Sequence, residues 1–180
     1  IANRVENIGV IKARLPLLPM IMLGILAGAF IGLGALFSVI ASSDPMISFG
    51  ISRILSGFVF SLGLILVVVA GAELFTGNNL IVMAWADGKI SGIEVLRNWI
   101  IICISNFIGA GALAFLVYLS KHPEMNQHAI TSQYLKIAAM KCNMSFSHAF
   151  FSGVMCNILV CLAVWMSQAG RSVIDKVIVI

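Results

Sequence analysis

Four stretches without a charged side chain constrain this sequence more than any other feature. They run for 29 residues over positions 15–43, 19 between Arg53 and Glu73, 23 between Arg97 and Lys121, and 22 between His148 and Arg171. A helix needs about 20 apolar residues to cross the hydrocarbon core of a bilayer, which is roughly 30 Å thick. The rest of the chain carries too little polar material to coat a water-soluble globule. Only 10% of its residues are charged and 61% are hydrophobic, whereas soluble domains average about 25% and 45–50%. A soluble enzyme domain, a nucleic-acid module and a disordered chain are therefore excluded. The net charge of +4 does not argue for nucleic acid either, because the cations stand singly between apolar runs rather than in a patch. The chain reads as an integral membrane protein.

The expected architecture is all-α, a single transmembrane domain over residues 1–180. Pro16 and Pro19 place the start of the first helix near Leu17, giving spans at about 17–42, 54–86, 98–120 and 147–169. A fifth begins near 173 and is only a turn or two long at Ile180, so the chain reads as truncated after four spans. Lys and Arg in short loops set orientation. With the N-terminus inside, the inner side holds Arg4, Lys12, Arg14, Lys89, Arg97, Arg171 and Lys176, against Arg53, Lys121, Lys136 and Lys141 outside. That bias places the N-terminus in the cytoplasm. Gly24, Gly28 and Gly32 form two overlapping GxxxG steps, a flat helix face that lets another backbone approach closely. Gly109 and Gly111 repeat the theme in the third span. Cys103, Cys142, Cys156 and Cys161 have no metal or redox spacing and read as packing residues. No cofactor, metal site or enzyme activity is expected.

The second span is irregular. Residues 54–70 already approach bilayer length, yet apolar character resumes at residues 80–85 after the polar run Gly71-Ala72-Glu73-Leu74-Phe75-Thr76-Gly77-Asn78-Asn79. One straight helix over 54–86 would have 33 residues and a length of about 50 Å, well beyond the membrane. Poor helix formers fill the interval. The economical reading is a helix broken near 72–79, with irregular backbone that is tolerated at membrane depth only where protein buries it or it lines a cavity. Such breaks build substrate sites in transporters, because freed backbone dipoles point into the gap.

At these residues the chain resembles the formate/nitrite transporter family, which includes hydrosulfide channels. The resemblance is carried by Phe60-Ser61-Leu62-Gly63-Leu64-Ile65-Leu66, by Gly71-Ala72-Glu73-Leu74-Phe75-Thr76-Gly77-Asn78, by Lys141, and by Asn157-Ile158-Leu159-Val160-Cys161-Leu162-Ala163-Val164-Trp165-Met166 with Gly170-Arg171-Ser172. It implies an aquaporin-like helical bundle, a homopentamer with a pore through each protomer, and passage of small monovalent anions of weak acids: formate, nitrite or hydrosulfide. It also implies a prokaryotic inner (plasma) membrane location. By the same resemblance, Leu74, Phe75 and Thr76 lie on the loop that breaks the second helix. Phe60 and Leu64 narrow the pore, with Leu74 and Phe75 forming a further constriction. Lys141 and Asn157 are polar groups along the route. The family's pore histidine has no counterpart here, since His122, His128 and His148 all fall in or beside the 121–147 connection, as exposed or interfacial groups.

These residues suggest a mechanism and also admit plainer roles. A bare anion is very costly to place in low dielectric, whereas a weak acid can take up a proton and pass an apolar narrows neutral. Lys141 would concentrate the anion, and Thr76 and Asn157 would hydrogen-bond it. Alternatively Lys141 is a solvated cation, Asn157 bonds a neighbouring helix backbone, and Thr76 caps a half-helix starting near Gly77. Phe60 and Leu64, four apart, equally suit a packing stripe. Glu73 is expected to tie down freed backbone N–H groups. A neutral-solute channel of the aquaporin or glycerol-facilitator type is the alternative function, but none of the prolines Pro16, Pro19, Pro45 and Pro123 lies in the interruption, where such channels carry an Asn-Pro-Ala turn.

Overall fold

The computed structural model describes all 180 residues and is all-helical. In chain order the helices are α1 (Ala2–Ala13), α2 (Leu17–Ser42), α3 (Phe49–Ala70), α4 (Phe75–Asn78), α5 (Val82–Ala86), α6 (Gly92–Leu119), α7 (Ala129–Cys142), α8 (Phe146–Ser167) and α9 (Val173–Val179). Single 3-10 turns occupy Asn79–Ile81 and His122–Glu124. Helices α2, α3, α6 and α8 are long and apolar enough to cross a membrane. Their outward surface is apolar, with Phe58, Ile93, Phe107 and Leu159 among the many large side chains exposed, as expected when lipid is the solvent.

Helix α2 is the centre of the bundle, packed along its length between α3 and α6. The glycine face read from the sequence is spent inside the chain. A Cβ on Gly28 would overlap the Asn106 carbonyl oxygen, and one on Gly109 would overlap that of Ile25. At the α2–α3 crossing, a Cβ on Gly34 would stand 2.7 Å from the Phe60 carbonyl oxygen and one on Gly63 2.9 Å from that of Phe30. Small residues thus bring backbones into direct contact, which is where packing energy between membrane helices comes from.

The helix bounds differ from those expected from charge. Helix α3 begins at Phe49, four residues before Arg53, because the guanidinium folds back to 5.2 Å from the Phe49 ring centroid; such cation–π contacts let a long cation sit on an apolar turn. Helix α6 begins at Gly92, before Arg97, with Ser91 as N-cap. Ser91 Oγ accepts from the Glu94 N–H at 3.3 Å, and the Glu94 carboxylate accepts from the Ser91 N–H at 2.7 Å, a reciprocal box that satisfies two otherwise free donors. Helices α1 and α7 lie outside the expected spans. Helix α1 docks on the α4–α5 segment through Val5, Gly9 and Ala13, one face at four-residue spacing, and Ala13 joins Ile81, Ala84, Ile90 and Val95 in a buried cluster.

Candidate functional site

The interruption is shorter than the sequence suggests. Helix α3 ends at Gly71, whose φ of +70° places it in the left-handed region that favours glycine. The Gly71 and Ala72 N–H groups both bond the Val67 carbonyl, closing the helix. Residues 71–74 are non-helical, and helix resumes at Phe75 with Leu74 as the N-cap residue in extended conformation. Asn78 and Asn79, expected inside the gap, already belong to the returning helical segment.

Asn106 of α6 takes over backbone bonds that a continuous helix would have made, while Lys12 of α1 pairs with side chains of the segment. Asn106 donates both amide hydrogens, to the Gly24 carbonyl at 2.8 Å and the Glu73 carbonyl at 2.9 Å. Its oxygen accepts from the Phe75 N–H at 2.8 Å. The Glu73 N–H donates to the Leu23 carbonyl at 3.2 Å. The carboxylate of Glu73, a buried residue, does not bond backbone N–H groups as expected. It pairs instead with Lys12 Nζ at 3.1 Å and accepts from Asn78 Nδ2 at 2.8 Å. Lys12 also donates to Asn78 Oδ1 at 2.9 Å, and Asn78 Nδ2 reaches Asn98 Oδ1 at 2.9 Å. Asn98 Nδ2 returns to the Lys12 carbonyl at 3.1 Å, and Trp99 Nε1 donates to the Asn78 carbonyl at 3.3 Å. Every member of this network has a partner, the condition under which buried polar groups stiffen a structure rather than weaken it. A cavity of about 130 Å³ adjoins it, walled by Lys12, Val67, Leu74, Asn78, Val164 and Gln168 among others.

The structure distributes the seven candidate residues unevenly around this knot. Leu74 faces the cavity. The Phe75 ring packs edge-on to Trp99, centroids 6.3 Å apart. Thr76 lies inside the first turn of α4 and is not its cap, because Leu74 holds that position. Its Oγ1 is buried and bonds no protein group, while its carbonyl accepts from Cys161 Sγ at 3.2 Å. Asn157, on α8, bonds no neighbouring helix backbone; it donates to the Gly153 carbonyl of its own helix at 2.8 Å and accepts from Asn79 Nδ2 at 2.6 Å. Leu64 is buried and Phe60 exposed on α3. Lys141 is exposed at the C-terminal end of α7, apart from the interruption. Among the histidines His128 and His148 are exposed, whereas both ring nitrogens of His122 are buried without a partner.

Sequence reasoning missed Lys12, Asn98 and Asn106 as members of the site, placed Asn78 in the interruption without a bonding role, and read Cys161 as a packing residue. The amides carried a signal: Asn98 and Asn106 are polar groups eight apart in an otherwise apolar span, and such groups in lipid normally bond another helix. Lys12 carried none, since its partner is 61 residues away.

Comparison with known proteins follows the same lines. The family described as "Formate/nitrite transporter" matches residues 1–180. The formate channel FocA of Escherichia coli K12 is 38% identical over 176 residues, covering 97% of this chain and 62% of the relative. The formate channel BtFdhC of Bacillus thuringiensis is 37% identical over 181 residues, covering 99% of this chain and 69% of the relative. Among solved structures, a "Pentameric formate channel with formate bound" superposes with a TM-score of 0.84 at 39% identity, covering 91% of this chain and 64% of that one. An "FNT family ion channel" superposes with a TM-score of 0.86 at 25% identity, covering 99% and 71%. The chain thus spans about 62% of the length of the FocA relative it matches.

Proposed function

The chain belongs to the formate/nitrite transporter family, and from that premise we propose that the protein passes small monovalent anions of weak acids, formate first among them, through a pore that the 71–74 interruption helps to form. Nitrite and hydrosulfide fall in the same chemical class. The assembly is a homopentamer in a prokaryotic inner membrane, with the N-terminus cytoplasmic. The similar solved channel described as pentameric with formate bound supports the substrate and the assembly.

The observation that carries this reading is the Thr76 hydroxyl, buried beside the interruption with no protein partner. Leaving such a group unbonded costs about 1–3 kcal/mol, and a hydroxyl supplies both a donor and an acceptor to a small carboxylic acid. Leu74, in the cavity wall, is the apolar narrows on one flank, with Phe75 behind it. Phe60 and Leu64 form the narrows on the other. An apolar passage rejects a bare charge, so the substrate takes up a proton and crosses neutral. Lys141 attracts the anion at the outer mouth through its positive charge, and Asn157 offers an amide further along the route.

The test is formate flux in proteoliposomes containing the full native protein. Thr76→Val, which is isosteric but lacks the hydroxyl, lowers formate flux on the order of tenfold, one lost hydrogen bond to substrate, with the oligomer unchanged in size. Unaltered flux removes Thr76 from the mechanism. A permanently charged anion of similar size crosses far more slowly than formate; equal rates reject neutral passage.

A further inference from the structure

We propose that Asn106 is the positioning residue of the passage: its amide grips the residues before and after Leu74, and so sets how far the Leu74 side chain narrows the cavity. The inference rests on the transport reading above.

Leu74 stands at φ −103° and ψ 128°, outside helical geometry, so the regular bonds of a helix do not locate it. The chain is held instead at its two neighbours. The Glu73 carbonyl accepts from Asn106 Nδ2, and the Phe75 N–H donates to Asn106 Oδ1. One planar amide therefore fixes the distance across Leu74. A side-chain amide has two N–H donors and one carbonyl oxygen, and here the second N–H goes to the Gly24 carbonyl of α2. That third bond ties the gripping group to the close α2–α6 backbone contact, where a Cβ on Gly28 would overlap the Asn106 backbone carbonyl oxygen itself. Asn106 is thus rigid at its base and fully engaged at its tip. A carboxylate in its place would turn an oxygen towards two carbonyls, and an aliphatic group would leave Glu73 and Phe75 unbonded. Leu74 in turn packs at the edge of the cluster formed by Ala27, Val67 and Ala72 and also faces the cavity. A shift of the 73–75 backbone would change the aperture.

The experiment measures formate and acetate permeability in liposomes carrying the full native protein, since acetate is one methyl larger. Asn106→Ala raises the acetate-to-formate permeability ratio on the order of fivefold, the scale of a lost hydrogen bond. Leu74→Ala raises it comparably, and the double variant adds nothing further, because Asn106 acts only through Leu74. Where Asn106→Ala assembles poorly, Asn106→Ser carries the same arms. A merely structural amide would lower the yield of intact channels and leave the ratio of the survivors at the wild-type value; that result, or additive effects in the double variant, overturns the proposal. A wild-type protein that passes no formate overturns the transport reading and this proposal with it, whereas formate flux with an unmoved ratio overturns this proposal alone.

Discussion

Replacing Lys12 by methionine isolates the ion pair with the most buried carboxylate in the structure. Lys12 Nζ lies 3.1 Å from Glu73 Oε1, with side-chain exposures of 26% and 5%. Removing one partner of a buried pair costs about 3–5 kcal/mol, because the other charge is left unpaired in low dielectric. Two features reduce that figure here. Lys12 is partly exposed, so the intact pair is weaker than a dry one, and Asn78 Nδ2 continues to donate to Glu73 Oε2 at 2.8 Å. A loss of about 2–3 kcal/mol remains, which for a chain of this size lowers the melting temperature by about 4–12 °C. Neutralising the orphan repairs most of it: Lys12→Met combined with Glu73→Gln removes the unpaired charge, and Gln still accepts from Asn78. Thermal unfolding of the detergent-solubilised native protein and its three variants closes the double-mutant cycle, whose coupling term reads the pair directly. The double variant is expected to melt above Lys12→Met. A Lys12→Met protein as stable as wild type, or a double variant that loses the sum of the two single losses, refutes the argument that Glu73 is held as a buried anion by Lys12.

Two further outcomes follow from packing and charge. Gly28→Ala inserts a methyl into the Asn106 carbonyl and destabilises the α2–α6 contact by about 1–3 kcal/mol or more; a melting temperature within a degree of wild type would contradict the backbone contact. Outside the membrane spans, hydrogen bonds to Asp87 and then Glu6 raise the Lys89 ammonium pKa above its ordinary value of 10.5. A raised cation pKa means that its stabilisation is complete below 10.5 and is lost as pH climbs through the higher folded-state value. The stability gap between wild type and Lys89→Met is therefore flat through neutral pH and closes in strong alkali, which denaturation across pH values measures; a gap that closes on acidification instead would refute the assignment.

Much of the candidate site was legible, but unevenly. The glycine and polar residues at 71–79 announced a broken helix, because poor helix formers in the middle of an apolar run weaken the regular bonding that lipid otherwise enforces. Its position shifted to 71–74 because Asn78 and Asn79 bond to Lys12, Asn98 and Asn157 rather than breaking the backbone. Charge also misplaced helix ends. Arg53 and Arg97 lie inside helices, one folded over Phe49 and the other reaching the carbonyls of Ala13 and Leu15, as long side chains with mobile cations can. The overlapping GxxxG steps announced a close helix contact without saying whether the partner lay in the same chain; it proved to be α6.

What the amino-acid order determined alone is the number of long apolar helices and the existence of an interruption in the second. Lipid acts on each stretch independently, and a run of residues either is or is not apolar and long enough. Tertiary structure decided how the interruption is held. Its freed Glu73 carbonyl is satisfied from 33 residues away by Asn106, its Glu73 carboxylate is paired from 61 away by Lys12, and Asn98 reaches back 86 to the Lys12 carbonyl. A hydrogen bond requires atoms within about 3 Å of each other, and only the packed bundle brings such distant residues that close.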